Sequence, residues 1–360
     1  MVMSAALVLA AVITPGAQVE AVPDTANRPI AFTTATVTRD AATNSFTVSW
    51  TAPGAGSVAV YEGSQADGPG SLVGVRGESD TLFVPATTGP FPFFRLRPDR
   101  GGSVVVDARV LGLASAPNFR DAGGYRTTNG RWVRTGAFYR APALTLTDAD
   151  LQVVRGLGIR SVFDLRTTLE IAAEPDVDLP GTEYFHDNVL AAGLPSPPAS
   201  PTTDELLQYL RQGYTEMVLS PTARSAFHDL LAQIADSDGP FVVHCTGGQD
   251  RTGLATVFVL TLLGVPESTV RNDYLLSWIY NQPVYAKNLA SMPPSLAAAW
   301  APTMTPEAAS TYLQTALQAI TQHYGSMENY AINGLGLSHA TLSKLRHKLL
   351  VGAPSGRPHD

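Results

Sequence analysis

The sequence predicts a chain of two unlike parts: an N-terminal all-β sandwich, then an α/β domain with a central, largely parallel sheet flanked by helices. Three observations carry this. From about Arg28 to Leu113 the chain is rich in Thr, Val and Gly, in short alternating stretches divided by Gly- and Pro-rich turns, the pattern of half-buried strands. After Ala114 apolar residues recur at helical spacing between short apolar runs, as β/α layers require. The 360 residues also leave room for more than one domain and an ample core.

Residues 1–21 read as an export signal. Positions 4–13 form a short apolar core, and small residues follow before a cut after Ala17 or Ala21. No Lys or Arg precedes Arg28, so the basic start of such a signal is missing. Either the true start lies upstream or the segment has another purpose. Export would make the protein secreted or extracytoplasmic. The sandwich then occupies 22–113, with strands at 34–38, 45–50, 58–62, 93–96 and 104–110, and with Trp50 and Tyr61 in its core.

The α/β domain spans 114–352. A helix at 147–156 starts on a Thr147 cap with Asp150 and stops at Gly156, and a strand follows at 159–165. Residues 193–201 form a Pro-rich loop, and 203–219 an amphipathic helix carrying Leu206, Leu207, Leu210, Tyr214 and Val218. The apolar run 241–243 reads as a strand, and a helix from near Thr252 ends at Gly264. Helices at 267–280, 306–324 and 338–350 close the domain, before a flexible tail at 353–360.

A net charge of -7 and a pI near 5.5 argue against nucleic acid or an anionic membrane as partner. No apolar run reaches the roughly 18 to 20 residues of a spanning helix. The single cysteine excludes an internal disulfide. The seven histidines are scattered, with no metal-ligand cluster, so the chemistry is expected to need neither metal nor cofactor.

That chemistry lies in the loop between the 241–243 strand and its helix, His244-Cys245-Thr246-Gly247-Gly248-Gln249-Asp250-Arg251-Thr252-Gly253. Successive backbone NH groups of Thr246 to Arg251 can curl into a nest at a helix N-terminus, where unpaired NH groups and the helix dipole favour an anion. Gly247 and Gly248 permit the curl. Arg251 adds a charged fork for phosphate oxygens. The same field turns a cysteine into a thiolate nucleophile, so Cys245 is expected to attack phosphorus and form a phosphocysteine. Thr252 is placed to hydrogen-bond the sulfur, and His244 to hold the cysteine backbone.

With these residues the chain resembles the cysteine-dependent protein tyrosine phosphatases, and more closely their bacterial branch with a His-Cys-x-x-Gly-Lys-Asp-Arg-Thr-Gly loop. The resemblance extends to Asn118-Phe119-Arg120-Asp121, Phe163-Asp164-Leu165-Arg166-Thr167, Tyr209 and Tyr214, Asp273-Tyr274-Leu275, Tyr324-Gly325 and the run 337–350, about two thirds of the chain. It implies a phosphatase domain whose helices form a lid over the site, with Arg120 and Asp121 bracing the loop or touching substrate. Asp164 and Arg166 then end a strand beside the catalytic one, as an ion pair or as site residues. The family's loop lysine is Gln249 here, and the lost charge favours phosphotyrosine over polyanionic lipid. The sandwich resembles a fibronectin type III module.

The general acid stays open between Asp187, near where the family's mobile-loop aspartate would fall, and Asp250 inside the loop, which is slightly favoured. The expected partner is a phosphotyrosine-containing protein or a small phosphomonoester. The alternatives are a phosphoinositide or inositol phosphate phosphatase and a non-catalytic surface module that recognises phosphate or adheres. The sequence sets no oligomeric state.

Overall fold

The computed structural model describes residues 28–354 except 41, 86, 90, 192–196 and 198. The export segment expected at 1–21 and positions 355–360 of the expected tail lie outside the described residues. The N-terminal region holds β1 (Thr34–Asp40), β2 (Ser45–Thr51), β3 (Val58–Gly63), β4 (Ser71–Arg76), β5 (Ser79–Pro85), β6 (Phe93–Pro98) and β7 (Val104–Val106). They form two antiparallel sheets, in the orders β1-β2-β5 and β4-β3-β6-β7. Alternation decides what faces inward: Phe46, Val48 and Trp50 of β2 and Val58 and Val60 of β3 share one core with Phe94 and Leu96 of β6.

The final strand ends at Val106 and does not run to 110 as expected. The Asp107 carboxylate accepts from the amide of Arg109 at 2.8 Å, and Arg109 takes a left-handed φ of 57°, so the chain turns out of the sheet.

The C-terminal part is helical with a mixed sheet. Its strands are β8 (Arg120–Asp121), β9 (Trp132–Val133), β10 (Phe138–Ala141), β11 (Ser161–Asp164), β12 (Glu183–His186), β13 (Phe241–His244) and β14 (Leu350–Val351). Five of them lie in the order β12-β11-β13-β10-β8, the first four parallel and β8 antiparallel to β10, while β9 pairs with β14. The helices are α1 (Asp148–Gly156), α2 (Thr168–Ala173), α3 (Thr203–Leu219), α4 (Pro221–Asp236), α5 (Arg251–Leu262), α6 (Glu267–Tyr280), α7 (Gln282–Ser291), α8 (Pro294–Trp300), α9 (Pro306–Tyr324), α10 (Met327–Asn329) and α11 (His339–Leu349).

The catalytic candidate follows β13, the central strand, all four of whose residues are buried. The helix after it, α5, is buried at every position but Thr261, which an apolar sequence on all faces allows. Loop 245–250 therefore sits on a rigid strand-to-helix unit at the C-terminal edge of the parallel strands, where open α/β sheets bind ligands. No helix among the described residues is long and apolar enough to cross a membrane.

The two regions touch. Trp132 of β9 belongs to the sandwich core, the Thr135 hydroxyl donates to the Val105 carbonyl at 2.7 Å, and Pro29 bridges to Ala353.

Candidate active site

Cys245 is buried at the end of β13, with 1% exposure. Among the described residues, no backbone carbonyl accepts from the amides of 246–250, which leaves them for an anion at the N-terminus of α5. Gly248 adopts φ +65°, and a Cβ there would lie 2.4 Å from the Ala141 carbonyl oxygen, so only glycine fits. The Ala143 amide donates to the Thr246 carbonyl at 3.0 Å and pins the other side of the turn.

Arg251 is 7% exposed and bidentate to Glu170, NH1 to Oε2 at 2.7 Å and NH2 to Oε1 at 2.6 Å. It also reaches the Leu165 carbonyl and the Thr246 hydroxyl, both at 3.3 Å. Burial works against its charge, yet Cys245 and Glu170 raise its pKa above the usual arginine value. Burial likewise disfavours ionised Glu170, but the hydrogen bonds and charge of Arg251 win and hold that carboxyl far below the usual range. Glu170 is fixed by the N-terminus of α2, where it and Thr167 form a reciprocal capping box.

Behind the loop lies a buried hub. Asn118 donates through Nδ2 to the carbonyls of Gly247 at 3.1 Å and Gly248 at 3.0 Å. Arg120 donates to the Asn118 side chain and, through NH2, to the Asp273 carbonyl at 2.8 Å. Arg140 joins the Asp273 carboxylate (2.6 Å) to the Gly248 carbonyl (3.0 Å). Burial opposes the charge of Asp273, but the surrounding arginines hold its pKa well below the usual range. Burial and the neighbouring Arg140 lower Arg120 to about 10. Arg120 thus braces the loop. Asp121 turns away, accepting from the amides of Gly123 at 2.6 Å and Gly136 at 2.5 Å.

On the opposite rim, Asn281 Nδ2 reaches the Gly247 carbonyl at 3.0 Å and Gln249 Oε1 at 2.9 Å, and the Tyr285 hydroxyl donates to the same oxygen at 2.6 Å. The Tyr214 hydroxyl donates to Asp250 at 2.6 Å, and Tyr274 to Tyr214 at 2.6 Å. Burial raises the pKa of Asp250 above the ordinary aspartate value, although its hydrogen bond from Tyr214 and the charge of Arg251 oppose this.

Asp164 and Arg166 are a buried ion pair at 2.7 Å. Scattered histidines suggested no metal-ligand cluster, yet folding brings candidate ligand atoms of Asp164, Asp176 and His244 within 4.8 Å of one another. Arg166 already pairs with both carboxylates, at 2.7 Å and 2.5 Å, so a fixed cation neutralises them. His244 Nε2 lies 3.4 Å from Asp176, and neither ring nitrogen makes a hydrogen bond among the described residues. Burial lowers its pKa, against the charges of Asp164 and Asp176. The Thr252 hydroxyl is likewise buried without a hydrogen bond.

Asp187 follows β12, where its amide donates to the Asp164 carbonyl at 2.9 Å, and its carboxyl lies near Asp229 and Gln233 of α4; burial with the Asp229 charge lifts it to about 7. Reading the sequence missed Glu170, Arg140, Asn281 and Tyr285. Only Glu170 had a visible signal, the Thr167-x-x-Glu170 capping-box pattern directly after the Asp-Leu-Arg strand end.

The sequence model of the tyrosine phosphatase family matches residues 111–351. A tyrosine-protein phosphatase of Cupriavidus necator is 30% identical over 67% of this chain and 89% of its own. The triple specificity protein phosphatase PtpB of Mycobacterium tuberculosis is 28% identical over 67% of this chain and 99% of its own. A solved structure, of an Fn3-like protein from Clostridium thermocellum, covers 22% of this chain and 92% of its own at 19% identity and a TM-score of 0.19. With its Cys-x5-Arg loop at the end of a central strand and a family match across two thirds of its length, the chain belongs to the tyrosine phosphatase family.

Proposed function

We propose that the chain hydrolyses phosphotyrosine in proteins, or small aryl phosphates, through a phosphocysteine on Cys245. One observation carries this reading. The only thiol and Arg251 stand at the two ends of one loop, both buried, and the amides of 246–250 between them meet no backbone carbonyl among the described residues.

Cys245 Sγ attacks phosphorus in line, and the bond from phosphorus to the tyrosine oxygen breaks. The loop amides and Arg251 Nε, which makes no hydrogen bond among the described residues, take the equatorial oxygens. Asp250 gives its proton to the leaving oxygen, then removes one from the water that releases phosphate and regenerates the thiolate. Its place within the loop, anchored by Tyr214, favours it over Asp187, whose carboxyl packs near Asp229 and Gln233 of α4. The Thr252 hydroxyl, which makes no hydrogen bond among the described residues, is left to turn to the sulfur as phosphate departs. Gln249 brings no charge to the bowl, which favours a simple monoester over a phosphoinositide.

The same reading takes residues 22–113 as a fibronectin type III-like module, supported by seven strands in two antiparallel sheets. Residues 114–352 form the catalytic domain, and the apolar stretch at 4–13 supports export from the cytoplasm.

Phosphate release by wild type, Cys245→Ser and Asp250→Asn on phosphotyrosine, phosphoserine and phosphothreonine peptides and on phosphoinositides, with EDTA present, tests this. Phosphotyrosine turnover is expected to vanish in the serine variant and to fall roughly 10²–10⁴-fold in the asparagine variant. A lipid preference would overturn the substrate class, and silence on every substrate would leave a phosphate-recognition module.

A further inference from the structure

We propose that Arg109, on the segment leading out of the sandwich, is a positioning residue for the phosphate loop, so that the non-family part of the chain helps set the geometry of the catalytic bowl. Resting on the phosphatase reading, the inference adds a residue outside the 111–351 family match.

Arg109 NH2 pairs with Asp273 Oδ1 at 3.0 Å, and its guanidinium lies 3.8 Å from the centroid of the Tyr125 ring. Tyr125 accepts from Arg109 and donates to the same Asp273 oxygen at 3.0 Å. The other oxygen of Asp273 is held by Arg140, whose NH2 reaches the Gly248 carbonyl. Arg109 is therefore linked through Asp273 and Arg140, three contacts in all, to the one loop residue whose left-handed backbone admits no side chain. It also shares Oδ1 with Arg120, which fixes Asn118 and through it the carbonyls of Gly247 and Gly248.

Two features set this apart from ordinary packing. First, three guanidiniums surround one carboxylate, more positive charge than Asp273 needs, and the excess lies behind loop carbonyls whose amides are free to face an anion. Second, Arg109 is held in its left-handed conformation from both sides. Its amide donates to Asp107, and its carbonyl accepts from the Asp121 amide at 2.9 Å. Asp107 directly follows the last sandwich strand, so the position of that strand is passed to the hub.

The test compares the full chain with Arg109→Met, which keeps bulk on Tyr125 without charge, and Arg109→Lys, which keeps the charge without the fork. Steady-state kinetics on p-nitrophenyl phosphate, inhibition by orthovanadate and thermal melting are measured for each. We expect Arg109→Met to lose about 10-fold in kcat and in vanadate affinity, with little change in KM, as small misplacements of catalytic groups produce. Arg109→Lys should recover most of the loss. Wild-type kcat and vanadate affinity in a folded Arg109→Met would overturn the inference, as would losses that follow melting alone with no rescue by lysine. If wild type binds vanadate but turns nothing over, the phosphatase reading fails while the vanadate comparison still decides the role of Arg109.

Discussion

Asp187 and Asp250 are two aspartates held in unlike surroundings. Both aspartates weighed as the general acid have raised pKa values, but Asp250 is bonded to Tyr214 within the loop unit, whereas Asp187 faces Asp229 and Gln233 of a packing helix. The folded chain keeps the Asp187 proton up to about pH 7, whereas an unfolded aspartate releases it near about pH 4. The folded state thus binds more protons in that window, and stability falls as pH rises through it. Asp187→Asn should be more stable than wild type at pH 8, on the order of 1–3 kcal/mol, and nearly equal to it at pH 4. Thermal melts across that range would show the gap opening, and parallel curves would contradict the assignment. At this scale the sequence put Cys245, Arg251 and the loop glycines between a strand and a helix, and the structure has β13 and α5 on either side of them. Arg140, Asn281 and Tyr285 were hidden because they approach the loop from 30 or more positions away in sequence, and Glu170, also distant, showed only as a capping-box residue.

Among the elements, the helices at 147–156, 203–219, 267–280, 306–324 and 338–350 were legible, whereas the 16-residue α4, capped by Ser220, was not. The 203–219 helix lies where its apolar stripe put it, and Thr147 caps α1 through the Asp150 amide. Strands β4 and β5 were missed because β4 buries only Gly74 and β5 only Leu82 and Val84, too few positions for alternation to register. The short helix α2 was missed too, although it delivers Glu170 to Arg251. The strand-to-helix unit at β13 and α5 depends on one backbone position. Gly248→Ala would place a methyl 2.4 Å from the Ala141 oxygen at a φ of +65°, two penalties in one site. Orthovanadate binding is expected to weaken at least 10-fold, with a loss of stability of about 1–3 kcal/mol. Wild-type affinity in that variant would show that the turn is not required.

For the molecule as a whole, the sequence conveyed two regions but not how tightly they are joined. Interlocking contacts come from residues that look ordinary in sequence: Trp132 of the catalytic region lies 2% exposed in the sandwich core, and residues 29 and 353 pair across the junction. One cooperative thermal transition is therefore expected by calorimetry, and two resolved transitions would show that the regions fold independently.

The central claim, that Cys245 carries the phosphoryl group, is tested most directly by mixing the protein with a phosphotyrosine peptide, quenching within milliseconds in neutral denaturant, and locating the adduct by mass spectrometry. Phosphate on the peptide containing Cys245, present in wild type, longer-lived in Asp250→Asn and absent from Cys245→Ser, is the predicted result. Turnover that proceeds with no adduct on Cys245, or that persists in Cys245→Ser, would contradict it.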